Sequence, residues 1–369
     1  MRTKLADELG IQYPIFGFTP APEVAAAISK AGGLGVLGAV RYNDPADLAD
    51  ALDWMDKEVD GKPYGVDVVM PVKLSATGEV PDLQSMIPQA NREWVDETLE
   101  RLGIPELPEQ TEEMTGVLGW LHEVARSHVD IALEHPIKLI ANALGSPPED
   151  VIERVHKQGV KVAALAGKRV HAERHVAKGV DIVIAQGFEA GGHTGEIATM
   201  VLVPEIVDAV GDKVPVLAAG GIGSGRQIAA ALSLGAEGVW MGSFWLTTKE
   251  AEAMAPGNAT QKALLAATSS DTVRSRIYSG KHARLLKTKW TEAWDEQDAP
   301  EPLPMPLQNL LVAQAHQRIA ASQNPDVVAM PVGQIVGRMN ETRPVADVIA
   351  DLVAEFDETA RRIGDISSR

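Results

Sequence analysis

The stretch DIVIAQGFEAGGHTG, Asp181 to Gly195, decides the fold. Its first part, Asp181-Ile182-Val183-Ile184-Ala185, is a β-branched apolar run of the length of a buried strand. It stops at a glycine-rich loop, Gln186-Gly187-Phe188-Glu189-Ala190-Gly191-Gly192-His193-Thr194-Gly195, as a strand does when it delivers a loop to one face of a sheet. Glycine without a Cβ lets that backbone approach a flat ligand closely. Of the nine histidines in the chain, only His193 sits in such a loop.

The same rhythm of apolar run, turn and helix extends on both sides. Tyr13–Phe18, Leu34–Ala39, Tyr64–Met70, Pro136–Ala141 and Val160–Leu165 read as five strands before the quoted one, and Val214–Ala219 and Glu237–Met241 as two after it. Helices follow most of them. One spans Pro22–Ala31 and is closed by Gly32-Gly33; one starts at Pro45 with Asn43 or Asp44 as cap; one starts near Pro147-Pro148; one covers Lys168–Lys178; one covers Arg226–Leu234 and ends at Gly235. Eight strands alternating with helices predict an α/β fold, a (β/α)8 TIM barrel rather than an open doubly wound sheet.

Two regions break the rhythm. The insertion 71–134, after the third strand, is far too long for one crossover. It holds an amphipathic stretch Asn91–Leu102, a proline-rich link Pro105–Pro108 and a helix from about Glu112 to Glu134. Attached after a strand's C-terminal end, it is placed over the active face as a lid or substrate region. The second is the tail: residues 1–250 form the barrel, and 251–369 a helical C-terminal extension, helical from about Asn258, around Leu310–Ala321 and over Val345–Arg362.

Composition bounds the chemistry. With 369 residues, 45% hydrophobic and 23% charged, the chain has the makeup of a globular protein with a large core. It has no cysteine, which excludes disulfides, a thiolate nucleophile and a thiolate metal site. The start MRTKLADELG has no apolar signal core, and no window reads as a membrane span, so a cytoplasmic enzyme is the default. A net charge of −17 argues against nucleic acid as partner. Yet Thr272–Thr291 contains Arg274, Arg276, Lys281, Arg284, Lys287 and Lys289 and no acid. That stretch reads first as a solvated face or subunit contact, and second as a site for a phosphate-bearing ligand; a homo-oligomer is compatible with it.

A second motif, Ala218-Ala219-Gly220-Gly221-Ile222-Gly223-Ser224-Gly225-Arg226, follows the seventh strand. Glycine-rich backbone opening into a helix offers N–H groups and a positive dipole end to a phosphate. A Rossmann loop would want an acid ending the next strand, but that strand ends in Met241-Gly242-Ser243. Loops after strands seven and eight are the common phosphate site of barrels, so Gly220, Gly221, Gly242 and Ser243 are the phosphate candidates.

Other residues carry blander readings. His171 and His175 are four apart on a helix but fit no zinc pattern and read as solvated positions; no residue set reads as a metal site. Lys138 lies at the wrong end of its strand for a Schiff base, and Lys168 reads as a helix-start charge. Glu189 is expected to orient its loop or face solvent, and Trp290 with Trp294 to pack a helix.

The blocks AQGFEAGGHTG and VPVLAAGGIGSGRQIAAALSLGAEGVWMGSFWL resemble the nitronate monooxygenase family, formerly the 2-nitropropane dioxygenases. YPIFGF, AGGLGVLGA, YGVDVVMP, IKLIANALGSPPEDVIERVHKQGVKV and PVGQIVGRMNETRPVADVI extend the resemblance over most of the chain. Flavin-dependent enoyl-acyl-carrier-protein reductases share the same blocks. The resemblance implies an FMN-binding TIM barrel. Gln186, Gly191 and Gly192 would lie along the flavin, Gly220-Gly221 and Gly242-Ser243 would hold its phosphate, and first-strand backbone at Phe16, Gly17 and Phe18 would flank the ring. His193 matches the family histidine above the flavin that acts in proton transfer.

Two departures stand out. The first strand continues Phe16-Gly17-Phe18-Thr19-Pro20 where the family usually has Pro-Met. Asp67 stands near the flavin where the family usually offers asparagine, and there it must be paired or protonated to avoid repelling an anion. Three functions are therefore expected in order: FMN-dependent oxidation of a nitronate or nitroalkane with dioxygen, NAD(P)H-dependent reduction of an enoyl thioester, CoA-linked substrate or quinone, and a flavin- or phosphate-binding barrel without redox activity.

Overall fold

The computed structural model describes residues 1–70, 83–107, 122–254 and 259–368. Strands β1 (Ile15–Thr19), β2 (Leu34–Gly38), β3 (Tyr64–Val68), β4 (Leu139–Asn142), β5 (Lys161–Ala166) and β6 (Ile182–Gln186) pair in parallel in chain order. A two-residue strand, β7 (Gly192–His193), then leaves the barrel; β8 (Val216–Ala219) and β9 (Gly238–Met241) complete it. Closure comes from β9 on β1, with Ile15 opposite Val239 and Gly17 opposite Met241. The eight-stranded parallel barrel read from the sequence is the observed architecture, with no strand end shifted by more than three residues.

Alternation along each strand sorts the core into two shells. Val183, Ala185, Ala218 and Val239 face outward into the helix layer, whereas Ile182, Ile184, Leu217, Ala219 and Trp240 face the barrel axis. Helix α1 (Lys4–Leu9) is capped by the Thr3 hydroxyl and ended by Gly10 at φ 72°. Its Leu5, Ala6 and Leu9 join the axial shell and plug the N-terminal mouth. The outer ring is α2 (Pro22–Lys30), α3 (Pro45–Glu58) and, after the insertion's α4 (Gln89–Arg101), helices α5 (His122–Ala132), α6 (Glu149–Lys157), α7 (Arg169–Ala177), α8 (Thr199–Val210) and α9 (Gly225–Ser233). Asp44 caps α3 and Ser224 caps α9, each accepting a backbone N–H of the first turn. The helix expected over Glu112–Glu134 is described from His122 onward; its first part lies outside the described residues.

The extension contributes α10 (Ala259–Ala266), an antiparallel hairpin of β10 (Thr272–Ser275) and β11 (Ala283–Leu286), then α11 (Lys289–Ala293), α12 (Leu307–Ser322) and α13 (Val345–Ser367). A purely helical tail is therefore corrected: the basic stretch forms a hairpin. Trp290 and Trp294 pack as expected, buried with Trp94 of α4 in one aromatic cluster that joins insertion and extension. Val345, Val348, Ile349 and Leu352 seat α13 on the outer shell.

His175 also departs from expectation. It is buried, Nε2 donating to the Leu165 carbonyl at 3.0 Å and Nδ1 accepting from the Ser146 hydroxyl at 2.7 Å. Helical spacing put both histidines on one face but could not say that this face turns toward β5.

Candidate active site at the C-terminal mouth of the barrel

Three of the axial residues nearest the C-terminal mouth are small, Gly38 on β2, Ala141 on β4 and Ala219 on β8, with Phe18, Asp67, Leu165 and Gln186 between them. Small residues at one level of a packed barrel leave room for a flat ligand there. Phe18 stacks on Trp240 at 6.2 Å and 18° and forms one wall. Of the first-strand trio only Phe18 reaches the mouth. Phe16 is buried in the axial shell below it, and Gly17 faces outward, where a Cβ would lie 2.3 Å from Ile28 Cδ1.

The loop after β6 is held at several points. Glu189 orients it, its Oε2 accepting from Thr199 N at 2.9 Å and Thr199 Oγ1 at 2.8 Å, so a carboxylate sits at the N-terminus of α8. Gly191 must be glycine for packing: a Cβ would lie 2.7 Å from Gly333 N, because the 332–334 backbone crosses it and Gln334 N donates to Glu189 O. Gly192 adopts φ 70°, and with His193 forms β7, which pairs with β11 through Arg284 and Ala283.

Arg284 is the clamp. It is buried, donates from Nε (3.1 Å) and Nη2 (2.9 Å) to the Phe188 carbonyl and from Nη1 to Thr272 Oγ1, and stacks 4.4 Å from the Phe188 ring centroid. Arg274 lies on the same ring at 5.9 Å and donates to Thr194 O. Two members of the stretch expected as a solvated face therefore lock the histidine loop instead. Lys281, between the hairpin strands, stays exposed.

His193 Nε2 lies 2.6 Å from Ser279 Oγ, and Ser279 is fully buried in the hairpin turn. Ser279 Oγ also accepts the Lys281 N–H at 3.3 Å. A neutral ring that accepts the Ser279 hydroxyl proton at Nε2 carries its own proton on Nδ1. Burial, with the charge of Lys281 added, lowers His193 to about 4, so it is neutral at pH 7. Asp67 is displaced the other way: burial alone raises its carboxyl well above the usual aspartate range. Among the described residues no group bonds its oxygens. Two titratable groups of the mouth thus favour their uncharged forms.

Against the histidine loop, Gly220 and Gly221 take φ 102° and 71°, and a Cβ on Gly220 would lie 3.0 Å from Thr199 Oγ1. The backbone N–H groups of Gly221, Ile222, Gly242 and Ser243 have no intramolecular acceptor among the described residues. Ser243 Oγ accepts Gly333 N at 2.9 Å, which leaves its hydroxyl proton to donate. A cavity of about 470 Å³ lies against this loop, lined by Glu189, Thr199, Gly220, Gly221, Ser269 and Arg338. The larger groove, about 680 Å³ between residues 338–343 and α13, shares no lining residue with the histidine loop. Lys168 stays exposed at the start of α7. At the barrel's other end Asp56 accepts from Tyr64 and pairs with His135 at 2.8 Å, with Asp53 alongside, which accounts for that acidic cluster structurally.

The structure brings His193, Gln186, Asp67 and the two glycine loops expected for a phosphate to one mouth of the barrel, and adds Ser279, Arg284 and Trp240, which sequence reasoning did not single out. Ser279 is a lone serine in a hairpin the sequence did not show. Arg284 carries a charge that reads as surface. Trp240 lies on a strand whose axial face only the register reveals.

A closed parallel barrel, a histidine on a glycine loop over its C-terminal mouth and two glycine loops converging beside it define an α/β-barrel protein with its candidate site at that mouth. The chain belongs to the nitronate monooxygenase family, whose model matches residues 2–355, and is an oxidoreductase. "Putative monooxygenase Rv1533" of Mycobacterium tuberculosis is 49% identical to it across the full length of both chains. A "Probable nitronate monooxygenase" of Staphylococcus aureus is 28% identical over 97% of this chain and 98% of its own. Among solved structures, nitroalkane oxidase from Streptomyces ansochromogenes superposes with TM-score 0.79 at 26% identity, covering 96% of this chain and 99% of that one. FabK from Thermotoga maritima does so with TM-score 0.75 at 27% identity, covering 99% of each. Among the described residues no helix is long and apolar enough to cross a membrane.

Proposed function

We propose that the chain is an FMN-dependent oxidoreductase that oxidises an anionic nitronate with dioxygen. The observation that carries this reading is His193: held on a glycine loop over the mouth, neutral at pH 7, and close to the cationic Lys281.

The residues present fit the cofactor. Four unpaired N–H groups on the loops after β8 and β9, with the Ser243 hydroxyl, suit a phosphate, and the backbone there approaches as only glycine permits. Gly220, Gly221, Gly242 and Ser243 would hold that phosphate. Phe18, Asp67, Gln186 and the Gly191-Gly192 backbone would border the ring, whose level the small axial residues leave open. Bound FMN would supply the electron transfer that no side chain of this protein provides, with dioxygen as final acceptor.

The chain's own residues supply charge and proton placement. Lys281 sets a positive potential beside His193 that favours an anionic substrate. In this reading Ser279 donates to Nε2, which makes the Nδ1–H of His193 a neutral donor. A base lowered to about 4 is poorly matched to pulling a proton from carbon near pH 7. Hydrogen bonding to a preformed nitronate suits it better than ionising a neutral nitroalkane. Arg284 keeps the loop from swinging by anchoring the Phe188 carbonyl.

Anaerobic mixing tests the reading. The purified protein should carry a flavin spectrum, and propionate 3-nitronate should bleach it without nicotinamide. His193→Ala should keep FMN and lose turnover. Failure to take up FMN, or bleaching only by NADH or NADPH, overturns it. A second reading, a reductase fed by NAD(P)H, draws support from the acid-free hairpin beside the mouth and the likeness to FabK; it requires that latter outcome.

A further inference from the structure

Asp67 is the one carboxylate among the described residues whose strand register turns it toward the barrel axis. Its cross-strand neighbours are Gly38 on β2 and Ala141 on β4, neither of which offers a polar side-chain atom. Its residue is 2% exposed, and no hydrogen bond or ion pair reaches its oxygens among the described residues. An ionised carboxylate in that position would cost several kcal/mol or more, so either a cation must face it or it must hold a proton.

No cation faces it. Of the elements packed on β3, β2 and β4 present only Gly38 and Ala141 at its level. The 39–41 turn carries Arg41, exposed and bonded to Pro20 O. Helix α5 carries His128, whose Nε2 is engaged with Tyr42 O at 2.9 Å, and α2 carries Glu23, an acid. Across the mouth stand Phe18, Gln186, His193 and Lys281, and none contributes a charge effect at Asp67.

We propose that Asp67 is retained as a neutral carboxylic acid whose O–H donates a hydrogen bond to an acceptor on the edge of bound FMN. Asparagine would give the flavin a donor of the same length without titration. The acid gives the same bond and adds a proton whose presence depends on the site staying dry. The inference rests on the FMN reading above and deepens it: aspartate here is compatible with an electron-rich ligand because it is uncharged.

Infrared difference spectra of wild-type protein minus Asp67→Asn, recorded at pH 7 with and without FMN, supply the first measurement. A protonated-carboxyl C=O band is expected in both states, shifting when FMN binds. FMN titrated into flavin-free protein supplies the second. Asp67→Asn should bind within about three-fold of wild type, and Asp67→Val, which keeps shape and removes the donor, about ten-fold or more weaker. A carboxylate band in place of the C=O band, a band indifferent to FMN, a ten-fold loss in Asp67→Asn, or full affinity in Asp67→Val each overturns the inference. A wild-type protein that takes up no FMN overturns the functional reading as well; wild-type uptake with any of those four outcomes overturns this inference alone.

Discussion

Replacing Ser279 by alanine should separate the orientation of His193 from the binding of the cofactor. The serine is fully buried, accepts one backbone N–H and lies 2.6 Å from Nε2, to which the proposed tautomer has it donate. Alanine removes that donor and leaves a half-buried imidazole nitrogen without it, a loss of about 1–3 kcal/mol. Converted at about 1.4 kcal/mol per ten-fold, this predicts a fall in kcat of roughly 5- to 150-fold. The FMN dissociation constant should change less than about three-fold, because Ser279 hydrogen-bonds to neither of the loops assigned to the phosphate.

The pH profile carries the sharper signature. A donor to Nε2 stabilises the neutral ring, so its removal lets the imidazole take a proton more readily. The acid limb of kcat/KM, which tracks a group near 4 in the wild type, should move up toward the ordinary histidine range. The assay is nitronate oxidation followed by oxygen uptake from pH 4 to 8, with flavin occupancy read from absorbance in the same samples. An unchanged acid limb with unchanged kcat would refute the assigned tautomer. A loss of activity matched by loss of flavin would show that Ser279 serves the loop's fold instead.

Arg284→Met should strip two charge-assisted bonds from the buried Phe188 carbonyl and lower stability by about 2–4 kcal/mol, read as a denaturation midpoint shift with early loss of flavin. Gly221→Ala, at φ 71° and 3.2 Å from Glu189 Cβ, should weaken FMN about ten-fold or more while changing riboflavin binding little, since only FMN carries the phosphate. Isothermal titration with both ligands checks it; equal losses would place the phosphate elsewhere. Asp67→Asn should gain stability relative to wild type as pH rises. The folded-state carboxyl sits above its unfolded value, so the wild type loses up to about 1.4 kcal/mol per pH unit once above the ordinary aspartate range, and the amide loses none. Parallel denaturation curves for the two proteins from pH 4 to 8 would contradict that.

The barrel was legible because each parallel strand is buried on both faces and reads as a short apolar run stopped by glycine. Val183-Ile184-Ala185 before Gly187 and Leu217-Ala218-Ala219 before Gly220 show it. His193 was legible for a related reason: a titratable ring set among glycines has no packing purpose. The hairpin was not, because β10 (Thr272–Ser275) and β11 (Ala283–Leu286) each place an arginine at mid-strand, and a buried arginine looks like surface until its carbonyl partner is known. Two-residue β7 has no periodicity at all. Asp67 was visible as a departure from asparagine, but its lack of a partner needed the register of β2 and β4.

The antiparallel contact between β7 and β11 joins residues about ninety positions apart in the chain, His193 with Ala283. Local βα units can form early from near neighbours, whereas this pairing waits until the extension has been synthesised and docked. During refolding, barrel circular dichroism should therefore recover before nitronate turnover does. On the proposed reading, the histidine would be aligned only once β11 pairs with it. A nascent or clipped chain would present a formed barrel mouth without an aligned imidazole, and would be silent before it was unfolded.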